Sequence, residues 1–297
     1  MASVQSLPAD AAKAAARQKR VDFLGIGVQK AGTTWLHRML AAHPEVFMAQ
    51  GDDKDLRFFN AYYDRGYLWY ERHFEDAGVR RRGEFSTSYF YSKDAPERVY
   101  RYNPEMRLLL SLRDPVARLI SHHRHEIRVG RIAPDVPLER AIESNPSYVE
   151  QSMYASQLSR WLEWFPRTSL CIVIFEEMFR DPAQTLRDVY RFVGVSPSFV
   201  PRGLDAKINE GRIPRSRLVE RGVRIAASTL RKAGGAPIVD LLKKAGVDAR
   251  LRRSNTRRTE KSRPDPALVA RLRGLFAAEN AKLAALLGRD LSIWDRD

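Results

Sequence analysis

Two short stretches of this 297-residue chain gather cationic and hydroxyl side chains at spacings suited to holding anions. In the first, Gly27-Val28-Gln29-Lys30-Ala31-Gly32-Thr33-Thr34-Trp35, two glycines bracket a sharp bend and the paired threonines open a helix. The amides of such a bend and the positive end of the helix dipole point at the turn, where Lys30 adds a full charge; this is the chemistry of a phosphate site. Gly27 and Gly32 keep the glycine frame of a nucleotide-binding P-loop, but Thr33 follows the second glycine and the lysine lies inside the loop. A magnesium-dependent nucleotide hydrolase needs a hydroxyl directly after that lysine and an acid ending a later strand, and neither stands in the expected place.

In the second stretch, Leu112-Arg113-Asp114-Pro115 leads into a helix that carries Ser121. Asp114 is a helix cap and Pro115 occupies the favoured first helical position. Ser121 comes seven residues after Asp114, on the same side of the helix and ~10 Å along its axis, a gap an extended arginine closes. A guanidinium fork and a hydroxyl meeting in this way bind one phosphate, although an arginine here can also simply bridge a nearby carboxylate. Two acids stand close by in sequence terms: Asp55 reads as a loop acid beside Lys54, and Glu84 as a carboxylate buried at the end of a strand. His122, His123 and His125 crowd one helix but point in different directions, with no i,i+4 pair and no cysteine, so no metal site is expected. His123 is assigned to the inner face and the other two to solvent.

These groups need a scaffold, and the hydrophobic pattern supplies one. Val21–Val28 and Leu108–Leu112 are continuous apolar runs of the kind buried in parallel sheets, Ser169–Phe175 is a third, and Gly83–Tyr91 alternates enough for another short strand that ends in a loop. Helices follow at Thr33 with Leu36, Met39 and Leu40 inward, after Asp114, over Gln151–Phe165, after Asp181-Pro182 as far as Gly194, and over Pro266–Gly288. Strand and helix alternate, which predicts an α/β fold with a P-loop-like central parallel sheet flanked by helices. Residues 1–20 are assigned to a frayed helix or disordered tail, 21–297 to one domain, and 201–297 within it to a helical extension over the cleft. The aromatic-dense segment 45–77 is expected chiefly to pack.

The composition narrows the partners without choosing among them. With 51 Lys and Arg against 36 Asp and Glu, a formal charge of +15 attracts phosphate, sulfate, acidic glycans, nucleic acid or anionic membrane. The lone Cys171 excludes a disulfide framework, and no window approaches 18 uninterrupted apolar residues, so the expectation is a soluble, cytoplasmic protein. The amphipathic basic stretch Leu218–Arg253 leaves peripheral membrane contact open.

The loop Gly27–Leu36 resembles the 5′-phosphosulfate loop of sulfotransferases that use 3′-phosphoadenosine-5′-phosphosulfate (PAPS). Lys54-Asp55-Leu56-Arg57-Phe58-Phe59, with Gly66-Tyr67-Leu68-Trp69-Tyr70 after it, resembles the KExxFF and following aromatic segments of heparan-sulfate and related bacterial carbohydrate sulfotransferases. The LRDPxxRxxS run over Leu112–Ser121 is similar to the family's 3′-phosphate segment, and Gly288–Trp294 to its usual close. The resemblance implies PAPS as donor, PAP as product and no metal. It implies that Lys30, Ala31, Gly32, Thr33, Thr34 and Trp35 line the 5′-phosphate, that Arg113 and Ser121 bind the 3′-phosphate, and that Arg212 closes over it. Lys30 would also balance charge in the reaction, and Asp55, in place of the family's glutamate, would take the acceptor's proton, with Glu84 in reserve. Phe85 departs from the family, standing where many glycan enzymes carry a lysine. The implied acceptor is a carbohydrate or glycolipid hydroxyl, less often an amine. A small hydroxylated metabolite or lipid acceptor, a nucleotide-dependent kinase, and a non-enzymatic basic binder of nucleic acid or anionic surfaces are the alternatives, although no nucleic-acid-binding motif is present.

Overall fold

The computed structural model describes residues 20–49, 55–204, 212–214, 256–258 and 264–295. Five parallel strands form the central sheet: β1 (Phe23–Gly27), β2 (Val46–Met48), β3 (Arg81–Phe85), β4 (Arg107–Leu112) and β5 (Leu170–Ile174), in the order β2-β3-β1-β4-β5. The helices are α1 (Thr33–Ala41), α2 (Phe58–Ala61), α3 (Gly66–Glu71), α4 (Ala95–Tyr102), α5 (Pro115–Val129), α6 (Leu138–Ser144), α7 (Ser147–Glu150), α8 (Tyr154–Leu162), α9 (Phe175–Met178), α10 (Pro182–Val193) and α11 (Pro266–Leu287). Among the described residues no helix is long and apolar enough to cross a membrane.

Strand alternation divides the core into two faces. Leu24 and Ile26 of β1 and Leu108, Leu110 and Leu112 of β4 meet α4, α8 and the aromatic residues Phe58, Phe59, Tyr70 and Phe74 on one side. Phe23, Phe85, Leu109 and Val173 meet α1 and α10 on the other. A third cluster joins α5 and α6 to α11 beyond the sheet, through Val116, Leu119, Leu138, Leu272 and Phe276. Helix α1 leaves β1 for one face, whereas the chain that leaves β4 reaches α8 on the opposite face. The crevice at the carboxyl ends of β1 and β4 is therefore the point where the winding reverses, the place where open α/β sheets hold ligands.

The structure refines the sequence expectations in three places. The short strand expected to open Gly83–Tyr91 runs to Phe85, and the loop expected after it is the turn Ser86–Tyr89, which hydrogen-bonds with itself and with β1. The short edge strand β2 lay unrecognised inside the aromatic segment. In the region expected to form a helical extension, Arg212–Pro214 (β6) and Thr256–Arg258 (β7) form an antiparallel pair, and α11 is its α-helix among the described residues. The basic stretch Leu218–Arg253 lies outside the described residues.

Candidate active site

The loop between β1 and α1 is built by β4. Val28 N–H donates to the Ser111 carbonyl at 2.8 Å, continuing the ladder past the end of β1, and Ser111 Oγ donates to the Ala31 carbonyl at 2.5 Å. Lys30 and Gly32 both take the left-handed conformation, with φ of 75° and 82°. At Gly32 a side chain is excluded twice over, since an ideal Cβ would also lie 2.2 Å from Met178 Cε. The Gly32 carbonyl accepts the amides of Trp35 and Leu36 at 2.9 and 3.2 Å, which starts α1. Among the described residues no carbonyl takes the amide of Thr34, one of the first-turn donors a helix leaves open to an anion. Thr33 is buried and Thr34 half-buried at this end.

Trp35 requires a correction. Its ring is buried in the core, 5.7 Å from the Phe179 ring, and its indole N–H donates to the Leu204 carbonyl at 3.4 Å. With its amide committed to Gly32, Trp35 anchors α1 and offers nothing to a nucleotide.

Arg113, just past the end of β4, reaches across to this loop: Nη1 donates to the Lys30 carbonyl at 3.2 Å. Its guanidinium lies over the Phe175 ring, 4.3 Å from the centroid, and its own carbonyl accepts the Tyr154 hydroxyl at 3.0 Å. Burial pulls its pKa down, opposed by the charge of Glu176. Asp114 caps α5 by accepting the amides of Val116 and Ala117 at 3.1 and 3.2 Å. Glu176 accepts the Asp114 amide at 3.2 Å and the Trp294 indole at 3.0 Å, so the C-terminal turn braces the strand end. Ser121 is half-buried on α5. The two stretches that the sequence singles out for anions thus meet at the carboxyl ends of the neighbouring strands β1 and β4. Arg212 is described only as backbone, in β6 opposite Arg258.

His123 lies on the inner face as expected, whereas His122 and His125 are not solvated. His122 is buried together with His123, packing edge-on to Tyr148 at 4.7 Å between ring centroids, while His125 is half-buried and accepts from Arg128 at 2.7 Å. Burial, with the positive charge of Lys30 among its neighbours, holds His122 down to about 3 and His125 to about 4. Both are neutral near pH 7, and the charge of Lys30 bears on each of them. The sequence carried a signal for this, since His125 follows Ser121 by one helical turn on the same face.

The carboxylates form two layers. Asp55 is half-buried and its Oδ1 accepts the Thr87 amide at 3.3 Å. Beneath it Glu84 is fully buried: Oε1 accepts from Tyr89 at 2.6 Å and Tyr70 at 3.1 Å, and Oε2 from Ser86 at 3.0 Å. Burial pushes the Glu84 carboxyl up to about 7; the three hydroxyls pull it back and the charge of Asp55 adds to the rise. Ser86 Oγ also accepts the Arg57 amide at 2.8 Å, and the Tyr89 hydroxyl accepts the Phe59 amide at 3.3 Å. Glu84 thereby fixes the segment just after Asp55, a framework role rather than a proton-transfer one. Phe85, the next residue, turns to the opposite face, where its ring lies over Gly25: an ideal Cβ there would be 2.1 Å from it.

The sulfotransferase domain family model matches residues 20–210. The human bifunctional heparan sulfate N-deacetylase/N-sulfotransferase 3 is 31% identical over 198 residues, 60% of this chain and 22% of that protein. The mouse heparan sulfate glucosamine 3-O-sulfotransferase 6 is 27% identical over 299 residues, 94% of this chain and 75% of that protein, and for its human counterpart the shares are 60% and 54%. Among solved structures, a sulfotransferase from Alicyclobacillus acidocaldarius superposes with a TM-score of 0.67 at 26% identity, covering 93% of this chain and 99% of that one. The chain belongs to the sulfotransferase domain family.

Proposed function

We propose that this protein transfers the sulfuryl group of PAPS to a hydroxyl of a carbohydrate acceptor. The observation that carries the reading is the hydrogen bond from Arg113 to the Lys30 carbonyl, which makes one site of two cationic stretches that the sequence keeps 83 residues apart. A donor with phosphates at both ends of an adenosine needs such a pair. The loop amides and Lys30 hold the 5′-phosphate and offset charge on the sulfonate and the departing phosphate, while Arg113 and Ser121 hold the 3′-phosphate and select against ATP. The acceptor oxygen attacks sulfur in line, the bond from sulfur to the 5′-phosphate oxygen breaks, PAP leaves, and Asp55 takes the hydroxyl proton.

A carbohydrate acceptor is supported by the surface beside Asp55. The Arg65 guanidinium lies 4.8 Å from the Tyr62 ring centroid and 4.9 Å from that of Trp69, and Arg57 donates to the Tyr62 hydroxyl at 3.3 Å. Such flat, half-buried rings with guanidinium edges suit sugar rings bearing acidic groups. The names of the relatives, which include heparan sulfate glucosamine sulfotransferases, point the same way. Incubation with ³⁵S-labelled PAPS and unsulfated or desulfated glycosaminoglycan chains, beside a panel of phenols and sterols, tests the proposal. Label in the glycan with matching PAP release is the expected result. Label confined to the small hydroxyl compounds overturns the acceptor, and turnover of magnesium-ATP without sulfuryl transfer overturns the reaction.

A further inference from the structure

Arg118, inside α5 between Arg113 and Ser121, is fully buried, yet among the described residues no carboxylate pairs with it. Its Nε donates to Ser152 Oγ and its Nη2 to the Tyr148 carbonyl, both at 2.6 Å, and Nη1 has no acceptor. An enclosed guanidinium in this condition is costly, because the charge has been taken out of water without a counter-charge in return. Its charged neighbour Arg113, of the same sign, adds to burial in lowering its tendency to hold a proton. Lys30 and Arg113 add to the same field, and the histidines that face it are neutral.

The contacts of Arg118 also reach the end of β4. Ser152 Oγ lies 3.3 Å from the Pro115 carbonyl, and two residues further on the Tyr154 hydroxyl holds the Arg113 carbonyl at 3.0 Å. The guanidinium fork therefore fastens residues 148–154, and that segment fastens the backbone of Arg113.

We infer that Arg118 is a positioning and selectivity residue of the second phosphate subsite, seating Arg113 through Ser152 and Tyr154 and leaving a buried positive charge that the nucleotide's 3′-phosphate completes. The inference rests on the assignment of Arg113 to that phosphate. It differs from a purely structural role in one measurable respect: the charge acts on the 3′-phosphate and not on the 5′ end.

Calorimetric titration with PAP and with adenosine 5′-monophosphate, which lacks the 3′-phosphate, tests it on the full chain and on Arg118→Met, Arg118→Lys and Arg113→Ala. Arg118→Met is expected to weaken PAP by roughly tenfold or more, the loss of one charge-assisted interaction, with adenosine monophosphate affected by less than about twofold. Arg118→Lys, which keeps the charge and loses the fork, is expected to fall between it and the wild type. Equal weakening of both nucleotides, or unchanged PAP binding, overturns the inference. If Arg118→Met does not fold, the ratio of the two affinities in Arg118→Lys decides, and a ratio equal to the wild type's overturns it. Arg113→Ala separates the two layers: an unchanged ratio there removes the assignment of Arg113 itself, whereas a collapsed ratio there with an unaltered one in the Arg118 variants removes only the role of Arg118.

Discussion

Replacing Glu84 by glutamine tests the two-layer arrangement of carboxylates through its pH dependence. In the folded protein the Glu84 carboxyl is raised from the ordinary 4.5 to about 7, chiefly by burial. Between those two values the folded chain holds a proton that the unfolded chain has released, so stability falls as pH rises through this window. The contribution of the neutral acid is fully present below about 4.5 and is lost above about 7. At ~1.4 kcal/mol per pH unit, the interval is worth roughly 3 kcal/mol. Glutamine cannot ionise, and its carbonyl can still accept from Tyr89 and Tyr70, although its amide meets Ser86 Oγ, which must then donate elsewhere. Urea denaturation of both proteins at pH 5, 6, 7 and 8 cancels every titration they share. The wild type should lose roughly 2.5 kcal/mol relative to Glu84→Gln between pH 5 and pH 8, with most of the change complete by pH 7. A difference that stays flat across this range, or that grows in favour of the wild type as pH rises, refutes the reasoning. Because the charge of Asp55 contributes to the rise, the same window should move downward in Asp55→Asn.

Lys30→Ala should abolish sulfuryl transfer, and Arg113→Ala should weaken PAP by about 2 kcal/mol, as expected for a charge-assisted contact to phosphate; calorimetry that shows normal PAP affinity for Arg113→Ala removes its assigned role. Asp55→Asn should leave PAP affinity intact and slow turnover by ~10²- to 10⁴-fold at saturating donor, and unchanged turnover would move the base elsewhere. Trp35→Ala should cost ~3–5 kcal/mol in denaturant unfolding through the cavity it leaves, because the ring is core; a loss of nucleotide affinity without that destabilisation would restore it to the binding site.

The fold was legible wherever apolar runs were long and ended in recognisable chemistry. β1 with its glycine-bracketed loop and β4 with Arg113, Asp114 and Pro115 were found because the strand and what it delivers are contiguous in sequence. The edge strand β2 was missed because three residues among aromatics leave no periodic trace, and it exists through pairing with β3. Trp35 was misassigned for a different reason: adjacency to the loop places its amide near the site, but helical geometry turns its side chain toward α9 and Leu204. His122 escaped a periodicity reading because its burial comes from Tyr148 on the short α7, a tertiary contact that no local window contains. Arg118 is an arginine at an apolar position of α5, and only the enclosing residues Tyr148 and Ser152 reveal that it is buried.

The replacement of a lysine by Phe85 gains its meaning from the sheet. Successive residues of a strand point to opposite faces, so a strand that buries Glu84 under Asp55 must aim residue 85 at α1, where the gap left by Gly25 receives an aromatic ring. Phe85 therefore contributes no charge to the crevice, and among the described residues positive charge comes to it from the two strands that flank the reversal of winding. β1 contributes Lys30 through its loop, and β4 contributes Arg113 at its end and Arg118 through the helix that follows. Among the described residues Arg113 is bonded to a backbone carbonyl and stacked on Phe175 with no carboxylate in direct contact; such a carboxylate would hold the guanidinium but would cancel the field that the nucleotide's phosphates require.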